Sequence, residues 1–287
     1  MNTETPLTLA VLGTGLIGAP VARNLCRRGS NVRVWNRTAA KAQALTSDGV
    51  IACDSPAEAV QGADIIVTVL KDAPAVQAAM QIAAPALRQG AIWLQLSTVG
   101  IEGAGALAAL AGQLGLVFYD APVQGTRQPA EMAQLIILAS GPVAQRDVVQ
   151  PVFDAIGKRT LWVSEQAGAS SRLKLALNHW AFALTHGLAE SLALARGLGV
   201  DPTLVVDVVS GGPMDSGYFQ AKAAAILADN YAASFSIANA AKDARLVADA
   251  AAQSGVRMDV ALAGLARFER ALAAGHGDKD MAASYLA

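Results

Sequence analysis

Cysteine is nearly missing from this chain: Cys26 and Cys53 are its only two in 287 residues. Two thiols make neither a disulfide framework nor a metal site, so each reads as a small buried hydrophobe in a reducing compartment. Charge is also scarce, at 16% of residues, and almost balanced, with a formal net charge of −1. That removes the electrostatic footprint needed to bind nucleic acid or an anionic membrane. Gly, Lys, Arg or Asp interrupts each Ala-rich stretch before it reaches membrane-spanning length. The opening residues, Met1-Asn-Thr-Glu-Thr-Pro6, are polar and lead straight into a strand, unlike a signal peptide. These absences lead us to expect a soluble cytoplasmic protein with no metal, nucleic-acid or membrane partner.

Apolar residues make up 53% of the chain, enough for a large core, and the length allows two domains. In the first half, short β-rich runs alternate with helical stretches. Strands are expected at 7–12, 31–35, 50–52, 63–70, 91–96, 116–120, 135–139 and 159–163, and helices at 16–28 and 39–47, among others. Asp54-Ser55-Pro56 reads as a cap with proline in the first turn of a further helix. Such alternation implies right-handed crossovers and a mostly parallel, doubly wound α/β sheet of the Rossmann type over residues 1–165. Beyond residue 164 strand signals nearly stop. One helical pattern runs from about 168 to 196, roughly 45 Å at helical rise, and others follow near 218–227, 236–254 and 258–274. Residues 166–287 are therefore expected to form an all-α domain joined through the long helix. Much of that helix is apolar around its circumference, more than one small domain can cover, which points to a subunit interface and a homodimer.

Gly13-Thr14-Gly15-Leu16-Ile17-Gly18 lies between the first strand and the first helix. In that context each glycine has a task. The first permits a tight turn, the second lets backbone approach a pyrophosphate, and the third allows helix and strand to pack closely. The helix N-terminus then faces the phosphate with free N–H groups. The end of the second strand selects the dinucleotide. NAD sites place Asp or Glu there for the ribose 2′-hydroxyl, whereas this chain has Asn36-Arg37-Thr38, with Lys41 one turn later. An amide, a guanidinium and a hydroxyl suit a 2′-phosphate, so the expected cofactor is NADPH; an exposed arginine in an ordinary turn is the plain alternative.

Lys174 and Asn178 stand four residues apart in the long helical run, with Leu173, Leu175, Ala176, Leu177, Trp180, Ala181 and Phe182 around them. Positions i and i+4 share a helix face, so an ammonium and a carboxamide project together. A lysine in such company either snorkels outward or is held in an apolar site for its proton.

Together these residues resemble the β-hydroxyacid dehydrogenases, the 3-hydroxyisobutyrate dehydrogenase-like family, over essentially the whole chain. The marks are the Gly13–Gly18 turn with Ala19-Pro20, then Ser97-Thr98, Asp120-Ala-Pro-Val123, Lys174-x-x-x-Asn178, Phe235 with Lys242-Asp243, and Gly275-His-Gly-Asp-Lys-Asp280. Within the family, Asn36-Arg37-Thr38 and the segment 121–131 look most like NADPH-dependent glyoxylate/succinic semialdehyde reductases. The resemblance implies hydride transfer to an aldehyde carbon, with Lys174 as general acid, or general base in reverse. Free lysine, with a pKa of about 10.4, is a poor donor at neutral pH. Burial among leucine and tryptophan side chains, with Arg172 nearby, would lower it. Asn178 would orient substrate or ammonium without adding charge.

By the same resemblance, the loop at Gln124, Gly125 and Thr126 would hold a substrate carboxylate, chiefly through the last two N–H groups. Ser97 and Thr98 would touch the nicotinamide or the carboxylate. Val69, Leu70 and Lys71 would border the cofactor's ribose and adenine side. Phe235 would wall the substrate pocket, Lys242 would reach the cofactor, and Asp243 would lie in the pocket around it; an exposed charge pair is the plain alternative for the last two. His179 and His186 read as packed helix residues, and His276 as part of a Gly-rich turn.

One departure stands out. The family usually has Ser where this chain has Gln124, and Gly at Thr126. The longer amide fills part of the carboxylate site, so a larger or less acidic carbonyl becomes compatible. The leading expectation is an NADPH-dependent reductase of a small aldehyde acid. The alternatives are an imine reductase on the same scaffold, which typically has Asp or Tyr at the position of Lys174, and a silent NADPH-binding module. Decarboxylating oxidation of a phosphorylated sugar acid fits less well, since no Arg/Lys cluster for a substrate phosphate is visible.

Overall fold

A computed structural model describes residues 7–287. The chain divides into two compact units, the first ending at Lys174 and the second spanning Leu175–Ala287. The first unit opens with β1 (Thr8–Leu12), α1 (Gly18–Arg27), β2 (Asn31–Trp35), α2 (Ala39–Gln43), β3 (Ile51–Ala52), α3 (Pro56–Val60) and β4 (Ile65–Thr68). It continues through α4 (Ala73–Ala83), β5 (Ile92–Gln95), α5 (Gly100–Gln113), β6 (Val117–Asp120), β7 (Val123–Gln124) and α6 (Arg127–Glu131). The last elements before the long helix are β8 (Leu135–Ser140), α7 (Arg146–Ile156) and β9 (Gly157–Ser164).

The strands form one nine-stranded sheet in the order β3-β2-β1-β4-β5-β6-β8-β7, with β9 paired to β8. Pairings from β3 through β6 are parallel, while β8 runs antiparallel to β6 and β7. The order doubles back at β1 and β4, creating the switch point beyond whose strand ends α/β folds bind ligands. Side-chain alternation explains why β1 is apolar throughout. Leu9 and Val11 enter one core layer, and Ala10 and Leu12 enter the layer on the opposite face.

Helix starts follow local chemistry. Ser55 Oγ accepts from the Glu58 N–H at 3.1 Å, while Glu58 reaches back to the Asp54 N–H at 2.8 Å, with Pro56 in the first turn. The expected helix over 39–47 is shorter than its pattern. α2 stops at Gln43, because Thr46 turns its hydroxyl onto the Gln43 carbonyl and a 3₁₀ turn follows. Two short elements, β7 and α6, escape the sequence reading, being too brief to show a period.

The second unit is helical. It contains most of α8 (Ala169–Gly197), which begins in the first unit, then α9 (Thr203–Val209), α10 (Gly217–Leu227), α11 (Ile237–Ser254) and α12 (Asp259–Ala273). Phe182, Leu188, Leu192, Ile226, Ile237 and Phe268 build its core. Along α8 the residues Trp180, Leu184 and Leu194 remain exposed, spaced as one face of a helix. Among the described residues no helix is long and apolar enough to cross a membrane.

A buried ion pair anchors the end of this unit. Lys222 Nζ donates to Asp280 at 2.6 Å, and the N–H groups of Ser234, Phe235 and Ala282 and the Ser234 hydroxyl donate to the same carboxylate. Burial alone would raise the Asp280 carboxyl, but the ammonium and these donors outweigh it and hold the group below the usual range.

His186 is buried against Phe268, as its reading as a packed helix residue requires. Burial, with Arg267 and Arg270 nearby, pushes its pKa down from 6.5 to about 4. The folded protein therefore keeps His186 neutral while the unfolded chain protonates it. Its contribution is intact above about pH 6.5 and is lost as pH falls toward 4, by at most about 3 kcal/mol. Urea unfolding followed across that window should show the decline, and His186→Asn should flatten it.

Candidate active site

Most of the sequence-selected residues of the first unit lie just beyond the carboxyl ends of neighbouring strands. The Gly13–Gly18 turn follows β1, Asn36-Arg37-Thr38 follows β2, Val69-Leu70-Lys71 follows β4, and Ser97-Thr98 follows β5. Gly13 has a φ of +107° and sits so close to β4 that a Cβ would lie 2.2 Å from the Val69 carbonyl oxygen. A Cβ on Gly18 would lie 1.9 Å from the Gly13 carbonyl oxygen. Both glycines are thus demanded by the packing of strand, turn and helix. Gly15 is different: it is exposed and nothing lies within 4 Å of where its Cβ would be. The protein itself does not need a glycine there, whereas a pyrophosphate approaching the backbone would. α1 has no side-chain cap, so its N-terminus suits an anion. The turn therefore fits a dinucleotide phosphate on geometry intrinsic to this chain.

Several polar groups expected at ligands are engaged by the protein. Asn36 Oδ1 accepts from the Thr14 N–H at 3.1 Å and its Nδ2 donates to the Thr38 carbonyl, so it braces the turn. Arg37 and Thr38 are exposed at the end of β2, as is Lys41. The Ser97 hydroxyl accepts from the Leu70 N–H at 2.9 Å, tying the ends of β4 and β5 together. Ser97 is in turn fixed by fully buried Gln95, which accepts from its N–H at 2.7 Å and donates to its carbonyl at 2.8 Å. Thr98 is half-buried beside it, and Lys71 is exposed.

Lys174 is buried, with 8% of its surface exposed, and Nζ donates to Gln124 Oε1 at 2.9 Å. Its burial does not come from Trp180, which is 63% exposed; six residues along a helix turn a side chain well away from Lys174. Arg172 is likewise exposed. What places Lys174 is the start of α8. Asp120, fully buried at the end of β6, accepts from the Gly168 N–H at 3.0 Å, the Ser171 N–H at 2.8 Å and the Ser171 hydroxyl at 2.7 Å. Ser140 and Ser170 add a hydroxyl pair at 2.6 Å, and the Ser170 N–H donates to Ser140 Oγ. Burial raises the Asp120 carboxyl; the Ser171 hydroxyl, the two N–H groups and Arg172 oppose that shift. A carboxylate at a helix N-terminus satisfies donors that the helix cannot. Sequence reasoning assigned Asp120 no role; the Ser170-Ser171 pair at a helix start was the signal available.

Gln124 ends β7 and is followed by Gly125, whose φ is +132°, and by Thr126, which precedes α6; all three are half-buried. In the second unit, Asn178 Nδ2 donates to Asp243 Oδ2 at 2.9 Å, and Lys242 Nζ lies 2.6 Å from Asp243 Oδ1. The carboxylate only accepts, which sets the orientation of the Asn178 amide. Phe235 stacks on Phe182 with centroids 6.4 Å apart, its N–H held by Asp280. His276 lies in the turn after α12. Among the described residues no cluster of His, Cys, Asp and Glu is arranged to hold a metal ion.

Fold and turn together define an oxidoreductase of the nicotinamide-dinucleotide class, and comparison with known proteins narrows it. Residues 8–164 match the family model described as the NAD binding domain of 6-phosphogluconate dehydrogenase, and residues 168–287 match NAD-binding of NADP-dependent 3-hydroxyisobutyrate dehydrogenase. The chain is 31% identical over 281 residues to glyoxylate/succinic semialdehyde reductase 1 of Arabidopsis thaliana, covering 96% of each. It is similar to the crystal structure of a 3-hydroxyisobutyrate dehydrogenase from Salmonella typhimurium, with a TM-score of 0.90, 26% identity and coverage of 98% and 99%. It also resembles a reductive aminase from Aspergillus terreus in complex with NADPH and ethyl levulinate, with a TM-score of 0.66, 25% identity and 98% coverage of both chains. The chain belongs to the 3-hydroxyisobutyrate dehydrogenase-like β-hydroxyacid dehydrogenases, NAD(P)-dependent enzymes acting on CH–OH groups.

Removing the Asp120 carboxylate strands three donors at the start of α8, the two of Ser171 buried. Asp120→Ala should destabilise the protein by about 2–3 kcal/mol in chemical denaturation. A change below about 0.5 kcal/mol would refute the capping role.

Proposed function

We propose that the protein reduces a short aldehyde acid of the glyoxylate or succinic semialdehyde type with NADPH, with Lys174 as the proton donor. The observation that carries the reading is a buried ammonium on a capped helix, held by a side chain at the end of a sheet strand. Bound NADPH supplies hydride to the carbonyl carbon. Lys174 Nζ donates the proton that the carbonyl oxygen takes up as its carbon is reduced, and takes it back in the oxidative direction. Gly125 and Thr126 offer backbone N–H groups to the substrate carboxylate. The amide of Asn178 is oriented by Asp243, which leaves its Oδ1 as an acceptor.

The preference for NADPH rests on Arg37 and Thr38, exposed where a 2′-phosphate would arrive, and on the lack of a carboxylate there. A second reading, imine reduction, is favoured by the likeness to the reductive aminase and by Gln124 in place of a short residue. Lys174 favours the carbonyl substrate.

Oxidation of NADPH with a panel of aldehyde acids and cyclic imines separates the readings. Aldehyde turnover should appear in the wild type and fall by about 10²–10⁴-fold in Lys174→Ala. Turnover of imines without aldehydes would replace the carbonyl reading, and cofactor binding with no turnover would defeat both.

Arg37→Ala should weaken NADPH by about 1–3 kcal/mol and leave NADH nearly unchanged in equilibrium titrations. Equal loss of both would overturn the NADPH preference.

A further inference from the structure

We infer that Gln124 is a positioning residue for the proton donor: its amide oxygen fixes the Lys174 ammonium, which leaves its NH₂ group as the donor toward substrate. The inference rests on the reading of Lys174 as general acid. Lysine carries donors only, so the amide must present Oε1 to Nζ, and this settles which way the amide is turned. The four-carbon stem of lysine otherwise samples many rotamers, worth about 2 kcal/mol of entropy. A fixed acceptor at its tip narrows that set before substrate arrives, which is how orientation lowers a barrier.

Both ends of the 2.9 Å bond are attached to rigid elements of one unit. Gln124 is paired with Ile136 across β7 and β8. Just after it, Gly125 turns with a φ of +132°, where a Cβ would meet Leu135 Cδ2 at 2.8 Å. Lys174 sits one turn beyond Ser171, whose N–H and hydroxyl are both held by Asp120. Length matters too. A side chain shorter by one methylene, rooted in the same fixed strand, would leave its oxygen beyond hydrogen-bond reach. Because the acceptor is neutral, it orients the ammonium without the strong ion pairing of a carboxylate. The NH₂ group selects for substrates carrying an acceptor oxygen near the reacting carbonyl, and a carboxylate is the strongest such acceptor.

The test uses the full chain with glyoxylate and succinic semialdehyde, comparing Gln124→Met, matched in length without an acceptor, with Gln124→Glu, which keeps the acceptor oxygen. Thermal unfolding and NADPH titration confirm that both variants fold and bind cofactor. For Gln124→Met, kcat should fall by more than about threefold, with about 10- to 100-fold expected. The solvent isotope effect in D₂O should rise, since proton delivery becomes slower. Gln124→Glu should retain a kcat clearly above that of Gln124→Met, while its KM for both aldehyde acids rises through the lost donor and the added negative charge. A kcat for Gln124→Met within about threefold of wild type, or a Glu variant no better than Met, overturns the inference. Lys174→Ala keeps the two readings apart. If it abolishes turnover while Gln124→Met does not slow it, only the role of Gln124 falls; if Lys174→Ala remains active, the proton-donor reading falls first.

Discussion

One buried carboxylate sets the geometry on which the proposed chemistry depends. Asp120 ends a central strand and receives three hydrogen bonds from the residues that open α8. A helix begins with unsatisfied N–H groups, and a buried start needs an acceptor from elsewhere in the chain. Here that acceptor is a rigid strand end, so the first turn of α8 is registered against the sheet to within a hydrogen-bond length. Lys174 follows one turn later. Burial works against the charge on Asp120, and the converging donors offset that penalty locally. The price of fixing the helix is therefore borne by a residue that never touches the reacting atoms.

The same economy of polar groups runs through the rest of the site. Asn36, Ser97 and Asn178 all look like ligand contacts when read along the chain. In three dimensions each is engaged by protein: the Thr14 and Thr38 backbone, the Leu70 N–H, and the Asp243 carboxylate. Buried polar atoms need partners whether or not a ligand is bound. Asn36 and Ser97 brace the strand ends of the first unit, and Asn178 is fixed within the second. Of the three glycines in the turn, Gly13 and Gly18 answer to packing within the fold, while Gly15 borders open space. That asymmetry separates the structural glycines of the turn from the one that a phosphate requires.

Much of the architecture could be read from short-range pattern. The buried strands, the helix after the Gly-rich turn and the long α8 appear close to their expected positions because each repeats its apolar residues at a fixed period. Elements without room for a period were missed, as with β7 and α6, or misjudged, as with the early end of α2. Trp180 shows the limit of counting neighbours along the chain: it is close to Lys174 in sequence but turned to solvent.

By itself, the amino-acid order determined the β–turn–α dinucleotide motif, the doubly wound sheet and the one-turn spacing of Lys174 and Asn178. The motif and the spacing arise within a few residues, where backbone geometry dictates which side chains share a face, and the sheet follows from the alternation of strand and helix patterns. Only the tertiary structure decided that Asp120 caps α8 and that Gln124 holds Lys174. These partners lie 51 and 50 positions apart, and a hydrogen bond across such a gap leaves no period for a sequence to display. It exists because the packing of the helix start against the sheet buries polar groups that must satisfy one another.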